Sequence, residues 1–523
     1  MEISGTKSIP DLLQEKMRLH PDKELVVFEG ADGQVQSLSY GAFSDRVNRL
    51  ANALIADGVV AGQSIALMVS TSPEFLISWF AINQAGAVMV PVNVFYAPDE
   101  LQYLLNHSDS VGFISEPKFI ALFNEVAGKC LGVRVKISTH AGANQASFRL
   151  LSDILANEPA THQVVRVSPD APAQIVYTSG TTSRPKGVVI SHRSSLTQGI
   201  SIAMLFGMTP ADRCCVVLPL FHVNGQYVGV MPTLTVGGTI VLLEQYSATQ
   251  FWNQVRKHRS TLISIVPMLL RTMLAQPERP DDAHHAVRFS FYALLTTDEE
   301  WDRFEGRFGL KLVEGYGLSE TLGICTSNPV IHGTTKRHCI GLPTLGRQVR
   351  VVDEAYADLP VDEVGRILVR GGAMFSGYHN NPEATGACIR DGWFDTGDNG
   401  SIDSDGYIHF FDRSKDVIKR AGENIAATEV ERVLNEHPKI FESAVISVPD
   451  PLRDEAIKAF VVLQPGESMT EDEVRAWCAR HLSKFKVPTF CEFRPALPHT
   501  SIGKIMKYVL KMEEKENASK QNR

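Results

Sequence analysis

From Leu38 to Pro91 the spacing of apolar residues alternates between two periods. LSYGAFSDRVNRLANALIADG carries the spacing of an amphipathic helix, while SIALMV and AVMVPV are short unbroken runs of buried-strand length. The texture returns at QIVYTSG, CCVVLPL, TIVLL, TLISIVP and KLVEGYG, where β-branched runs end at Gly, Pro or polar residues and are separated by helix-length stretches. Such alternation predicts α/β layering, with parallel-type sheets covered by helices over most of the first four hundred or so residues.

After Asp398 the pattern shifts. SIDSDGYIHFFDR reads as a hairpin, DVIKRAGENIAATEVERVL as a turn handing over to a capped helix, AFVVL as a strand and EDEVRAWCARHL as a helix, enough for a small α+β domain. The predicted division is therefore a large N-terminal domain over 1–414, a small mobile C-terminal domain over 415–511, and a solvated polar tail over 512–523. At 523 residues the chain exceeds the usual size of one hydrophobic core, which agrees with two domains.

Composition narrows the class. The chain is 44% hydrophobic and 21% charged, close to globular averages. Its formal net charge is −8, and no block of like charge could track a nucleic-acid backbone. Eight scattered cysteines without a CxxC pair read as reduced, mostly buried thiols. The N-terminal residues lack a signal-peptide core, and the longest apolar stretch, Tyr227 to Leu243, is broken by Pro232, Thr233, Thr235, Gly237 and Gly238. A cytoplasmic enzyme without a membrane span is expected, and a homo-oligomer is compatible with the sequence.

The strongest chemical signal is YTSGTTSRPKG, from Tyr177 to Gly187, which follows the apolar run QIV. Hydroxyls from Thr178, Ser179, Thr181 and Thr182, backbone N–H groups freed at Gly180, and the Lys186 ammonium could together wrap a polyphosphate. The spacing is not that of a Walker loop, and by composition alone a polar linker fits equally well. Glu320 could offer Mg²⁺ a hard oxygen ligand, and Asp398 and Arg413 could bind two ribose hydroxyls, although each is also an ordinary surface charge. His284, His285, His332, His338 and Cys339 follow no spacing rule of a metal site.

The YTSGTTSRPKG string resembles the phosphate-binding signature of the adenylate-forming superfamily of acyl-CoA synthetases, luciferases and adenylation domains. PLFHVNG with Phe221 and His222, EGYGLSET from Glu314 to Thr321, TGD from Thr396 to Asp398, DRSKDVIKRAGENI from Asp412 to Ile425, and SIGKI around Lys504 resemble further signatures in the same order. The resemblance implies an AMP-forming acid–CoA ligase that takes a small or medium carboxylic acid, ATP with Mg²⁺, and coenzyme A. It implies that Tyr316 stacks on adenine, Thr321 contacts the phosphates, Glu320 holds Mg²⁺, and Lys504 steadies the reacting carboxylate and α-phosphate. His222, Val223, Asn224, Gln226, Gly315 and Gly317 would line the acyl pocket, with His222 also bordering the thiol's approach. Lys415 would be the hinge of the small domain, and Ala421 and Gly422 would line the thiol channel.

Three departures bear on pocket shape: FYALLTTDEE from Phe291 to Glu300, Ala421 ahead of Gly422, and Arg366 after Gly365. Within the superfamily the chain looks most like bacterial crotonobetaine/carnitine–CoA ligases. Two other readings are an adenylating enzyme that loads a carrier protein or amine, and a non-catalytic nucleotide-binding scaffold. Retention of Lys186, Glu320, Asp398, Arg413 and Lys504 argues against the scaffold.

Overall fold

The computed structural model describes residues 4–143, 146–161, 163, 165–178, 185–293, 297–330, 334–413, 417–420, 423–450, 454–482, 484–499 and 505–521. It is a mixed α/β protein with a large N-terminal domain and a smaller C-terminal one. Two large sheets dominate the first. In the nine-stranded sheet, Lys311–Leu318, Phe289–Tyr292, Leu262–Ile265, Arg213–Val216, Thr239–Leu243 and Glu24–Glu29 run parallel, flanked by antiparallel strands at both edges. The eight-stranded sheet is parallel from Pro172–Tyr177 to Arg149–Leu150, and antiparallel where Gly187–Ser191 and Gly377–Tyr378 extend it.

Local chemistry explains the elements. Ser39 caps helix Tyr40–Ala56 by accepting from Ala42 N–H, and the helix buries Phe43, Val47, Leu50 and Leu54 at helical spacing. Helix Pro73–Gln84 is apolar nearly all round, and all but Glu74 is buried. An all-round apolar helix belongs inside a core, and the main hydrophobic cluster of the domain surrounds this one. Strand Ser64–Met68 is wholly buried, as expected of a parallel strand covered on both faces.

A third sheet departs from the parallel expectation. Arg347–Val352, Gly365–Gly371, Trp393–Ile402 and Ile408–Arg413 are all antiparallel, and the last two form the expected hairpin. The C-terminal domain carries a fourth sheet of Glu423–Ala426, Val417–Arg420, Asp454–Leu463, Ile440–Asp450 and Phe490–Phe493. Helix Ala427–Asn435 packs on it, with Ala426 at the N-cap position and no side-chain cap, unlike the capped start predicted for it. The stretch expected as a solvated tail continues helix Lys507–Gln521. Leu510 is fully buried there, and Glu513 and Glu514 pair with Arg494 and Lys458 at 2.7 Å each, so contacts with the sheet hold a segment that lacks a long apolar stripe.

All eight cysteines are unpaired thiols, seven of them buried and Cys388 half-buried. Among the described residues no helix is long and apolar enough to cross a membrane.

Candidate active site

The phosphate-type loop springs from a closed base. Strand Pro172–Tyr177 pairs antiparallel with Gly187–Ser191 in a register that sets Tyr177 against Gly187, and Thr178 N–H donates to the Lys186 carbonyl at 3.0 Å. Tyr103 Oη donates to the Pro185 carbonyl at 3.0 Å, and Tyr177 Oη lies 2.8 Å from His107 Nδ1. Both ends of the loop are thus pinned. Ser179, Gly180, Thr181 and Thr182 lie outside the described residues.

Glu320 reaches the same place from the other large sheet. It follows strand Lys311–Leu318 in a tight turn built by Thr321, whose fully buried hydroxyl accepts from Leu318 N–H at 2.8 Å and can donate to the Gly323 carbonyl at 2.8 Å. Thr321 is therefore occupied in shaping the turn. Behind it, buried Arg347 donates to the Thr321 carbonyl at 2.7 Å and to Gln198 Oε1 at 3.0 Å, and burial lowers this guanidinium to about 10. In front, Glu320 Oε1 accepts from Tyr378 Oη at 2.7 Å, and Lys186 Nζ stands 4.8 Å from the centre of the Tyr378 ring. Lys186 and Glu320, far apart in the chain, meet around a tyrosine that no sequence motif had singled out.

A second cluster forms where the nine-stranded sheet meets the antiparallel one. Tyr316 Oη donates to Asp398 Oδ2 at 2.5 Å, and its ring lies 6.0 Å from that of Phe410. Burial and the Asp398 charge hold the phenol well above its ordinary pKa, so it stays a donor. Thr396 Oγ1 accepts from Asp398 N–H at 3.1 Å, and Asp398 sits opposite Arg413 in the hairpin register. Two residues before Tyr316, the buried Glu314 carboxyl is raised to about 8 by desolvation. Its burial too escaped the sequence reading, because a glutamate within a strand carries no local sign of burial.

The His222 segment closes a third side. His222 is half-buried, its ring lies 4.6 Å from that of Phe221, and desolvation pushes its imidazole down to about 4, which leaves it neutral near pH 7. Asn224 Oδ1 accepts from Ser264 Oγ at 3.0 Å. Gln226 has no exposed surface: its amide donates to the Leu220 carbonyl and accepts from Gln174, both at 2.6 Å, so it braces the wall behind His222. Gly225–Val230 is π-helical, a geometry that often marks functional sites. The Val223 carbonyl comes within 3.9 Å of a Cβ placed on Gly323, which sets this segment against the Glu320 turn.

Gly315 and Gly317 are glycines because strands crowd them. A Cβ at Gly315 would stand 2.8 Å from the Thr326 carbonyl oxygen, and one at Gly317 would stand 1.5 Å from that of Gly323. Arg366, a departure from the resemblance, pairs with Asp395 at 2.6 Å. His285 stacks on Trp252 and bonds the Phe308 carbonyl, and the Cys339 thiol donates to the Lys336 carbonyl. Lys504, Lys415, Ala421 and Gly422 lie outside the described residues, and of Arg413 only the backbone is described.

The donor set suits a small hard cation. Glu320 is a half-buried carboxylate with one oxygen bonded to Tyr378, and it leaves its second oxygen for a metal on the side of the tyrosine that Lys186 shares.

Comparison with known proteins places this architecture. The profile described as AMP-binding enzyme matches residues 13–379, and that described as AMP-binding enzyme C-terminal domain matches residues 429–504. The chain belongs to the AMP-binding enzyme family. Among its relatives, the crotonobetaine/carnitine–CoA ligase of Citrobacter koseri is 36% identical, across 98% of this chain and all of the relative. That of Salmonella paratyphi A is likewise 36% identical with the same coverage. An anthranilate CoA ligase solved with anthranoyl-AMP superposes with a TM-score of 0.90 at 25% identity, covering 98% of each chain. ATP-bound MatB from Rhodopseudomonas palustris superposes at 0.88 and 29% identity, covering 97% of this chain and 99% of that one.

Proposed function

We propose that the substrate of this ATP-dependent acid–CoA ligase is a small carboxylic acid of the crotonobetaine or carnitine type. The observation that supports it most is the full-length 36% identity to ligases of that name. The meeting of Lys186 and Glu320 around Tyr378 supports the chemistry.

In this reading the carboxylate attacks the α-phosphorus of ATP and pyrophosphate leaves, giving an acyl-adenylate. The coenzyme A thiol then attacks the acyl carbon and releases AMP. Residues 178–182 and Lys186 hold the departing phosphates, and Lys504 steadies charge at the reacting oxygens. Glu320 would hold Mg²⁺, which would supply charge neutralisation for the phosphates when bound. Tyr316, Asp398 and Arg413 hold the nucleoside. Neutral His222, with Val223 and Asn224, borders the acyl group, and the close-packed Gly315 and Gly317 leave that wall without side chains. Rotation of the small domain about Lys415 then withdraws Lys504 and brings Ala421 and Gly422 to the thiol channel.

The test is formation of AMP and acyl-CoA from MgATP, with and without coenzyme A, across crotonobetaine, carnitine, γ-butyrobetaine, uncharged short and medium acids, and aryl acids. Preferred CoA-dependent turnover of the trimethylammonium acids is expected. Preference for an uncharged or aryl acid would overturn the substrate assignment.

A further inference from the structure

The contacts of Tyr378 go beyond packing. Its hydroxyl donates to Glu320 Oε1 at 2.7 Å while its ring carries the Lys186 ammonium at 4.8 Å from the centroid. The backbone around it is pinned to both partners. Tyr378 and Gly377 pair with Val188 and Val189, just past Lys186, and His379 N–H donates to the Gly187 carbonyl at 2.7 Å. On the other side, Phe375 N–H donates to the Glu320 carbonyl at 2.9 Å. Thr385 Oγ1 accepts from Tyr378 N–H at 2.9 Å, and the Phe375 ring lies 5.1 Å away.

This arrangement solves an electrostatic problem. A lysine and a glutamate side by side collapse into an ion pair, which would spend both charges on each other. Here no Lys186–Glu320 pair forms, although both side chains touch one tyrosine. The electron-rich ring face offers the ammonium an alternative seat. The hydroxyl fixes one carboxylate oxygen, and Oε2 takes no hydrogen bond among the described residues.

We propose that Tyr378 is a positioning residue for the adenylation step, holding Glu320 with one oxygen directed at the metal and keeping Lys186 apart from it, free for phosphate. The inference rests on the reading of Glu320 as the metal ligand. Removing the hydroxyl should loosen the metal more than it slows turnover at saturation, because the carboxylate remains. Removing the ring should also weaken ATP, because Lys186 then falls onto Glu320.

The experiment uses the full chain and measures pyrophosphate release against Mg²⁺ at fixed ATP, then against ATP at saturating Mg²⁺. Tyr378→Phe should raise the half-saturating Mg²⁺ concentration about tenfold, in the range seen when an outer partner of a metal ligand is lost, with KM for ATP little changed. Tyr378→Leu should raise both. In the Tyr378→Phe, Glu320→Gln double variant the Mg²⁺ shift should equal that of Glu320→Gln alone. If Glu320→Gln moves the Mg²⁺ dependence and Tyr378→Phe does not, the positioning role is wrong while the metal reading stands. If Glu320→Gln leaves it unmoved, the metal reading itself fails. Unchanged thermal melting of Tyr378→Phe separates positioning from a folding defect.

Discussion

The Tyr316 hydroxyl and the Asp398 carboxylate meet at 2.5 Å, across 82 residues of sequence. Tyr316 lies just past the parallel part of strand Lys311–Leu318, where it pairs antiparallel with Thr326, and Asp398 lies in the separate antiparallel sheet, so this bond ties two layers at the proposed nucleoside end. Asp398 is only 2% exposed, and a buried carboxylate that loses a donor is less well compensated for its desolvation. Tyr316→Phe should destabilise the protein by about 2 kcal/mol. A double-mutant cycle with Asp398→Asn should return a coupling of about 1 kcal/mol or more in chemical denaturation. Additive effects of the two substitutions would contradict the contact.

Glu314 sets a pH dependence. Its folded pKa of about 8 lies above the ordinary carboxylate value of 4.5, so the native state binds a proton that the unfolded chain has released. Its neutral form contributes fully below pH 4.5, and stability falls as pH rises toward 8, by up to about 1.4 kcal/mol per pH unit. Glu314→Gln lacks this loss. Denaturant titrations at pH 5.5, 7 and 9 should therefore show the variant gaining steadily on the wild type. A constant difference across the three would contradict a buried, neutral Glu314.

Gly317 tests the close approach of strands before the Glu320 turn. A methyl group there would stand 1.5 Å from the Gly323 carbonyl oxygen, and neither backbone can yield without opening the turn. Gly317→Ala should cost about 3 kcal/mol or more and should abolish pyrophosphate release. Gly306, within helix Asp298–Phe308, meets nothing within 4 Å, and Gly306→Ala should stabilise the protein by about 0.5–1 kcal/mol. Thermal melting of both variants checks the pair. Equal, small shifts would contradict the packing described for Gly317.

Much of the fold could be read from the sequence because it depends on local periodicity. QIVY and TIVLL are strands, and the helix after Leu38 runs from Tyr40 to Ala56. Of the antiparallel third sheet only the hairpin ending at Arg413 could be read, since a run such as Arg347–Val352 does not reveal the direction of its neighbour. Helix Lys507–Gln521 was missed for a related reason. Its charged residues look solvated until Arg494 and Lys458, distant in sequence, supply their partners. The site divides in the same way. Lys186, Glu320 and Asp398 stand out by their motifs, while Tyr378 and Arg347 matter only through what lies beside them in space.

In the proposed two-step reaction through an acyl-adenylate, Lys504 serves only the first step. The direct measurement follows each half-reaction of Lys504→Ala separately: pyrophosphate release from MgATP and the acid, and thioester formation from supplied acyl-adenylate and coenzyme A. A loss of about a thousandfold is expected in the first, in the range of other residues that stabilise transition-state charge, with near wild-type rates in the second. Equal loss of both half-reactions would contradict it.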